Sequence, residues 1–80
     1  MTQLKVTVFP KPGVLDPQGK AIGRALAGLG FAGVSEVRVG KVMLVDVAEP
    51  DPARAKAAGE EMARRLLANT VIESFTVEVA

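Results

Sequence analysis

The sequence predicts a small α+β domain, a two-layer sandwich in which two helices cover one face of an antiparallel sheet. Valine-rich segments with a two-residue alternation occur at both ends and in the middle of the chain. Asp-Pro pairs at residues 16–17 and 51–52 each precede a segment with helical periodicity. The predicted order is therefore β-α-β-β-α-β, as in a ferredoxin-like sandwich or a similar fold. We expect residues 1–80 to form a single domain.

The first half of the chain gives one strand and one helix. Residues 3–9 alternate in the manner of a strand, and prolines at 10 and 12 end it because proline lacks a backbone N–H. Asp16 is the predicted N-cap of the first helix, with Pro17 at its first position, and Gly30 is the predicted C-terminal cap. The expected apolar stripe consists of Ala21, Ile22, Ala25, Leu26 and Leu29.

A β-hairpin is predicted next, with strands over 34–39 and 42–47 around a type II′ turn at Gly40-Lys41. That register places Val37 opposite Leu44. The second strand is then apolar on both sides, which is unusual for a strand with one face in water. With only two helices available to cover the sheet, we expect the second face to meet another chain, so that the domain dimerises through its sheet.

The last third repeats the pattern of a helix followed by a strand. Asp51-Pro52 opens the second helix, and residues 74–79 alternate as the final strand. The predicted apolar stripe of this helix consists of Ala55, Ala58, Met62, Ala63, Leu66 and Leu67.

Composition excludes several kinds of function. The chain has no Cys and no His, which removes thiolate and imidazole catalysis, disulfides and the usual zinc ligands. Its net charge of +1 lacks the basic surplus typical of nucleic-acid binders. No apolar run is long enough to span a membrane, and we expect a cytoplasmic protein. Small apolar side chains bury little area, so we also expect self-association to stabilise the fold.

A G-x-G-x-x-G pattern at residues 28–33 does not predict a nucleotide site. That fingerprint must open a helix after a strand, where free N–H groups meet phosphate. Here the pattern closes a helix, so its free groups are carbonyls, which repel phosphate. We interpret these glycines as a helix cap and a turn.

The loop over residues 11–19 contains residues that turn chemistry does not explain. Its prolines, Gly13 and Asp16 are accounted for as turn and cap residues. Lys11, Gln18 and the apolar pair Val14-Leu15 are not, and they suit a contact surface as well as a structural loop. Arg38 and Lys41 at the predicted hairpin tip fit either a solvated edge or a cationic contact to a partner.

Three segments of the chain carry a family resemblance: K-P-G-V-L-D-P-Q-G at 11–19, V-R-V-G-K at 37–41 and L-L-A-N-T-V-I-E at 66–73. They resemble the PurS family, the small subunit of phosphoribosylformylglycinamidine synthase. The segments lie in the family's order, and the resemblance spans nearly the whole chain. It favours contact roles for Lys11, Val14, Leu15 and Gln18, which turn chemistry leaves unexplained, and for Arg38. Lys41 is kept as a candidate contact residue, although the resemblance leaves it open between a solvated edge and a contact.

The resemblance implies a non-catalytic subunit of an ATP- and glutamine-dependent ligase in purine biosynthesis. In that family a large synthetase subunit uses ATP and magnesium to convert formylglycinamide ribonucleotide to formylglycinamidine ribonucleotide. A glutaminase subunit supplies ammonia, and PurS, as a dimer or a dimer of dimers, bridges the two. The implied partners are therefore a second copy, the synthetase and the glutaminase, with no cofactor, metal, nucleic acid or membrane bound by this chain.

Two other functions fit the same element order. A regulatory module of the ACT type would bind an amino acid at a dimer interface near a glycine-containing first turn, for which Pro12-Gly13 gives weak support. An RNA-binding sandwich would need aromatic side chains on its central strands for base stacking. Only Phe9 and Phe75 are candidates, so we reject that hypothesis.

Overall fold

The computed structural model describes residues 1–80 and confirms a small α+β fold with an antiparallel sheet. In order, the elements are β1 (Thr2–Pro10), α1 (Pro17–Gly28), β2 (Lys41–Val47), α2 (Pro52–Met62) and β3 (Glu73–Val79). A π-helical turn, Ala63–Leu67, continues α2.

The three strands are arranged in the order β2-β1-β3, so β1 lies in the centre. Val6 of β1 faces Met43 on one side and Val77 on the other. Because strand side chains alternate between faces, Leu4, Val6 and Val8 point together to one side and are almost completely buried. We call this side the inner face of the sheet.

α2 packs on the inner face through small residues spaced four apart. Ala55, Gly59 and Ala63 are buried, and the helix contacts β1 and β3. A Cβ at Gly59 would lie only 2.6 Å from Cδ1 of Leu4. The absence of a side chain at this position therefore sets how closely the helix approaches the sheet. The resulting core comprises Leu4, Val6, Val8, Ala55, Ala63, Ala68 and Val77.

The predicted hairpin does not form within the chain. Residues 34–40 pair with no strand, and β2 pairs with β1 instead. Gly40 lacks the positive φ that a type II′ turn requires at its first central position. Its role is close approach: a Cβ there would lie 2.5 Å from the carbonyl oxygen of Val8 and 2.6 Å from the ring of Phe9. The chain therefore runs on into β2 without reversing.

The expectation that both helices cover the sheet is also wrong for the single chain. α1 makes no substantial contact with the sheet or with α2, and Gly19 is its one buried residue. Residues 13–40, which we call the arm, contain α1 and the segment over residues 34–39 that runs back beside it. We call this segment the return segment. The radius of gyration is 16.0 Å, whereas a compact chain of this length would have about 12 Å. The arm accounts for the elongated shape.

Both ends of α1 match the prediction. Asp16 caps the N-terminus, and Pro17 occupies the first turn. At the other end Gly30 has φ +98°, and the N–H of Phe31 donates to the carbonyl of Leu26 at 3.0 Å. This is a Schellman arrangement. The G-x-G-x-x-G pattern is thus the end of a helix, as interpreted from the sequence.

Gly59→Val should destabilise the fold, because the added side chain would collide with the buried Leu4 and Val77. We expect a loss on the order of 1–3 kcal/mol, typical of overpacked cores. The matched control is Gly28→Val, in a helical position with no atom within 4 Å of the added Cβ. Thermal and urea unfolding should separate the two variants, and equal stabilities would contradict the packing described for α2.

Candidate functional site

The three segments that carry the family resemblance meet where the arm joins the sheet. The backbone N–H of Lys11 donates to the carbonyl of Ile72 at 2.8 Å, and its Nζ donates to the carbonyl of Thr70 at 2.7 Å. The N–H of Val39 donates to Oδ2 of Asp16 at 2.8 Å. We call this junction, formed by residues 11–19, 39–41 and 69–73, the arm base.

Asp16 connects the two sides of the arm with one carboxylate. Oδ1 accepts from the N–H of Gly19 at 2.9 Å, as an N-cap does, and Oδ2 accepts from the N–H of Val39. The hydrogen bond from Val39, followed by that from Gly19, lowers the pKa of Asp16 below its ordinary value. The charged carboxylate therefore fixes the start of α1 to the residues that lead into β2.

The loop before β3 is held by its own hydrogen bonds. The N–H of Asn69 donates to Oε1 of Glu73 at 2.7 Å, and the N–H of Glu73 donates to the carbonyl of Asn69 at 2.7 Å. The Asn69 side chain also accepts from the N–H of Val71 at 3.2 Å. The polar residues of the third segment are thus explained by the loop itself.

Two open depressions flank Asp16. A cleft of about 230 Å³ at the arm base is lined by Val8, Gln18, Val39, Gly40, Lys41 and Glu73. A groove of about 770 Å³ runs along the arm between α1 and residues 34–38. Its charged side chains are Asp16, Lys20, Arg24, Glu36 and Arg38, a mixed set with no strong preference for one sign of charge.

The six residues predicted to contact partners are distributed over this region. Val14, Leu15 and Arg38 line the groove, whereas Gln18 and Lys41 line the cleft. Lys11 lines neither depression. Its amine donates a hydrogen bond to the loop over residues 69–73.

These six residues differ in how much of each side chain is exposed to solvent. Leu15 is 67% exposed, and Gln18 and Lys41 are also exposed. Val14 is half-buried. The Arg38 side chain is 33% exposed and lies 4.0 Å from the carboxylate of Glu36. Leu15, Gln18 and Lys41 are therefore the members with the most surface available for a partner.

Sequence reasoning missed two exposed apolar residues, Leu66 and Val71, whose relative accessibilities are 83% and 81%. Leu66 was assigned to the buried stripe of α2. The wider π-helical turn changes the phase of the helix, so that Ala63 and Ala68 are buried and Leu66 points outward. No local signal in the sequence marks this change of phase.

The arrangement offers surfaces for contact and few groups for chemistry. No group of three or more His, Cys, Asp or Glu side chains is placed to hold a metal ion. Both carboxylate oxygens of Asp16 are occupied by backbone N–H groups. None of the helices combines the length and apolar character needed to cross a membrane.

Comparison with known proteins decides the family. The family model described as "PurS: Phosphoribosylformylglycinamidine (FGAM) synthase" matches residues 3–80. The chain belongs to the PurS family. The PurS subunit from Bacillus subtilis is 42% identical over 79 residues, which cover 99% of this chain and 93% of that protein. The subunit from Synechocystis is 43% identical over 75 residues, covering 94% of this chain and 75% of its own length.

Solved PurS structures match across the arm as well as the sheet. Methanocaldococcus jannaschii PurS gives a TM-score of 0.86 at 39% identity, covering 100% of this chain and 96% of its own. A PurS chain in the Thermotoga maritima PurLQS structure gives 0.83 at 27% identity, with 100% of both chains covered. As a PurS protein, the chain is a subunit of the FGAM synthase complex of purine biosynthesis. This membership favours the first functional hypothesis over the ACT-type alternative.

Replacing Asp16 with Asn should loosen the arm of this PurS protein. The amide has one acceptor oxygen in place of two, so it cannot hold Gly19 and Val39 separately. We expect a lower melting temperature at neutral pH and faster hydrogen exchange at the Val39 amide. The control is Asp51→Asn in α2, where the carboxylate accepts a single backbone bond, from Ala53, that an amide can keep.

The same variant makes a prediction about pH. Because the folded-state pKa of Asp16 is lowered, its contribution to stability is complete above the ordinary value of 3.8 and is lost as the pH falls through the lowered value. Asp16→Asn should therefore show a shallower loss of stability in acid than the wild type, measured by thermal unfolding across pH. Parallel curves for the two proteins would show that Asp16 is not the group responsible.

Proposed function

We propose that this chain acts as a non-catalytic bridge that self-associates and docks the synthetase and glutaminase subunits of FGAM synthase to each other. The observation that carries the proposal is the convergence of the three family segments at the arm base. There they leave Leu15, Gln18 and Lys41 exposed. A subunit whose distinctive residues form a contact surface and no reactive centre is suited to holding other subunits.

The exposed side chains have the chemistry of a docking surface. Leu15, together with Leu66 and Val71 of the third segment, presents apolar area that monomeric proteins usually bury. Gln18 and Lys41, which line the cleft at the arm base, supply hydrogen-bond donors. Apolar anchors surrounded by polar side chains are the common composition of protein interfaces.

A bridge matters because ammonia is lost as a nucleophile once it is protonated in bulk water. Holding the glutaminase beside the synthetase raises the effective concentration of ammonia at the acceptor and shortens its exposure to solvent. In this proposal ATP and magnesium are used by the synthetase, and this chain binds neither. The complex acts in the cytoplasm, and this chain occurs there as a dimer or a dimer of dimers. The structure of PurLQS from Thermotoga maritima supports the proposal, because a PurS chain forms part of that complex.

The central test uses purified synthetase and glutaminase subunits from the same organism. Glutamine-dependent amidation should be low without this chain and restored when it is added. Amidation driven by a high concentration of ammonium salt should proceed in both cases, because it bypasses the glutaminase. Full glutamine-dependent activity in the absence of this chain would overturn the bridging role.

Leu15→Ala and Lys41→Ala should weaken co-purification with the two partner subunits. We expect roughly a tenfold loss of affinity for Leu15→Ala, about 1.4 kcal/mol, as for an apolar anchor, and a smaller loss for Lys41→Ala. Lys56→Ala, on the exposed surface of α2, is the matched control for the charge change. Size-exclusion chromatography of each variant alone checks the fold, and wild-type affinity in both test variants would refute the assignment of this surface.

A further inference from the structure

We propose that the cleft at the arm base binds a free α-amino acid with a polar side chain, and that glutamine is its ligand. Lys41 binds the carboxylate, Glu73 binds the ammonium group and Gln18 binds the side-chain amide. The choice of glutamine rests on the proposed function, in which glutamine is the source of ammonia. The site itself is inferred from the geometry of the cleft, and it does not depend on docking to the synthetase or the glutaminase.

The cleft lies where the three family segments meet, and each segment contributes one polar side chain to it. Gln18 comes from the first turn of α1, Lys41 from the start of β2 and Glu73 from the start of β3. Val8 of β1 also lines the cleft and is only 1% exposed. Residues from four elements therefore surround one depression of about 230 Å³.

The sheet holds the two charges of the cleft on opposite sides of an apolar floor. β1 is the central strand, with β2 on one side and β3 on the other. Lys41 is in register with Val8, and Glu73 is in register with Pro10, the next residue of β1 on the inner face. Both charged side chains therefore point to the inner face, one from each edge strand, with Val8 between them.

The polar groups of the cleft are available to a ligand. The ion pairs of the structure all lie elsewhere, so Lys41 and Glu73 do not neutralise each other. The side-chain hydrogen bonds include neither the amine of Lys41 nor the amide of Gln18. Glu73 uses Oε1 to accept from the N–H of Asn69. Its second oxygen, Oε2, is left for a ligand.

Two opposite charges in one cleft select a ligand that carries both signs. A simple anion beside Lys41 would be repelled by Glu73, and a simple cation beside Glu73 would be repelled by Lys41. A neutral ligand would displace water from both groups without replacing the lost interactions. A zwitterion satisfies both through charge-assisted hydrogen bonds, and the flexible stem of Lys41 lets its amine follow the ligand carboxylate. An α-amino acid joins these two charges through a single carbon.

The size of the cleft and its third polar group favour glutamine among the amino acids. The cleft has the volume of about eight water molecules, and it is smaller than the roughly 300–1,000 Å³ of pockets for drug-sized ligands. The amide of Gln18 offers both donors and an acceptor, so it can pair with the amide of a glutamine ligand through two hydrogen bonds. The side chain of glutamate offers only acceptors and would add a negative charge near Glu73. We therefore expect glutamine to bind more tightly than glutamate.

A titration of the full chain with glutamine, followed by NMR of the ¹⁵N-labelled protein, tests the site. The cleft is open and the ligand is small, so we expect a dissociation constant on the order of 1 mM. The amide shifts should be confined to residues 18, 39–41 and 73. Two analogues each lack one charge: glutamine without its α-amino group, and glutamine with its α-carboxylate converted to an amide. Each should bind about tenfold more weakly, because each loses one charge-assisted hydrogen bond.

Variants of the protein remove the same two charges from the other side. Lys41→Gln and Glu73→Gln should each weaken glutamine binding about tenfold. The amide in Glu73→Gln can still accept from the N–H of Asn69, so the loop before β3 is kept. The matched control is Lys56→Gln, on the exposed surface of α2, which should bind glutamine as the wild type does.

Each result of the titration decides for or against the site. Saturable shifts at the cleft that both analogues and both variants weaken would support it. No shift at a glutamine concentration tenfold above the expected dissociation constant would overturn it. Equal binding of the singly charged analogues, or unchanged binding in Lys41→Gln and Glu73→Gln, would also overturn it. The spectrum of each variant reports its fold, and if one fails to fold, the analogues on the wild type still decide.

The result is independent of the bridging role, because no partner subunit is present in the titration. A cleft that binds no amino acid would leave the docking of the synthetase and the glutaminase untouched. Glutamine-dependent amidation without this chain would overturn the bridge and leave binding at the cleft intact.

Discussion

The geometry of the arm depends on one carboxylate. Asp16 accepts from the N–H of Gly19 and the N–H of Val39, residues that lie 3 and 23 positions away along the chain. The first bond starts α1, and the second ties that start to the entry of β2. Together with the close approach of Gly19 to the return segment, they make the arm a unit and direct it away from the sheet. The groove between α1 and residues 34–38 follows from this geometry, and the cleft at the arm base lies beside it.

Much of the fold could be predicted from local patterns. The alternation of residues 3–9, the two Asp-Pro helix starts and the glycine that ends α1 depend on neighbours in sequence, and each is found where expected. The predicted hairpin does not form, because strand pairing depends on residues that are far apart in the sequence. The pattern of residues 34–39 predicts an extended segment, but it cannot specify which strand that segment pairs with. Strand pairing is a long-range property, and Gly40 serves either a turn or a close contact equally well.

The candidate site likewise combines features that follow from the local sequence with features that depend on long-range contacts. Turn chemistry leaves Leu15 and Gln18 unexplained, and Lys41 fits either a solvated edge or a partner contact. All three are exposed in the structure, and their contacts to partners stay a prediction. The convergence of the three family segments could not be predicted, because it arises from long-range contacts such as that between Lys11 and Thr70. Leu66 was misassigned because a single π-helical turn rotates it out of the buried stripe. Such a turn requires only a small backbone change and leaves no compositional trace.

One chain leaves apolar area on its sheet and helices uncovered. Val42 and Leu44, on the face of the sheet opposite α2, are 56% and 64% exposed, and Leu66 after the end of α2 is 83% exposed. α1 also makes no substantial contact with the sheet. Exposed apolar side chains of this kind favour association with other chains. The same small core that limits the stability of one chain thus leaves apolar surface for neighbours, which is the property that the proposed bridge between two different subunits requires.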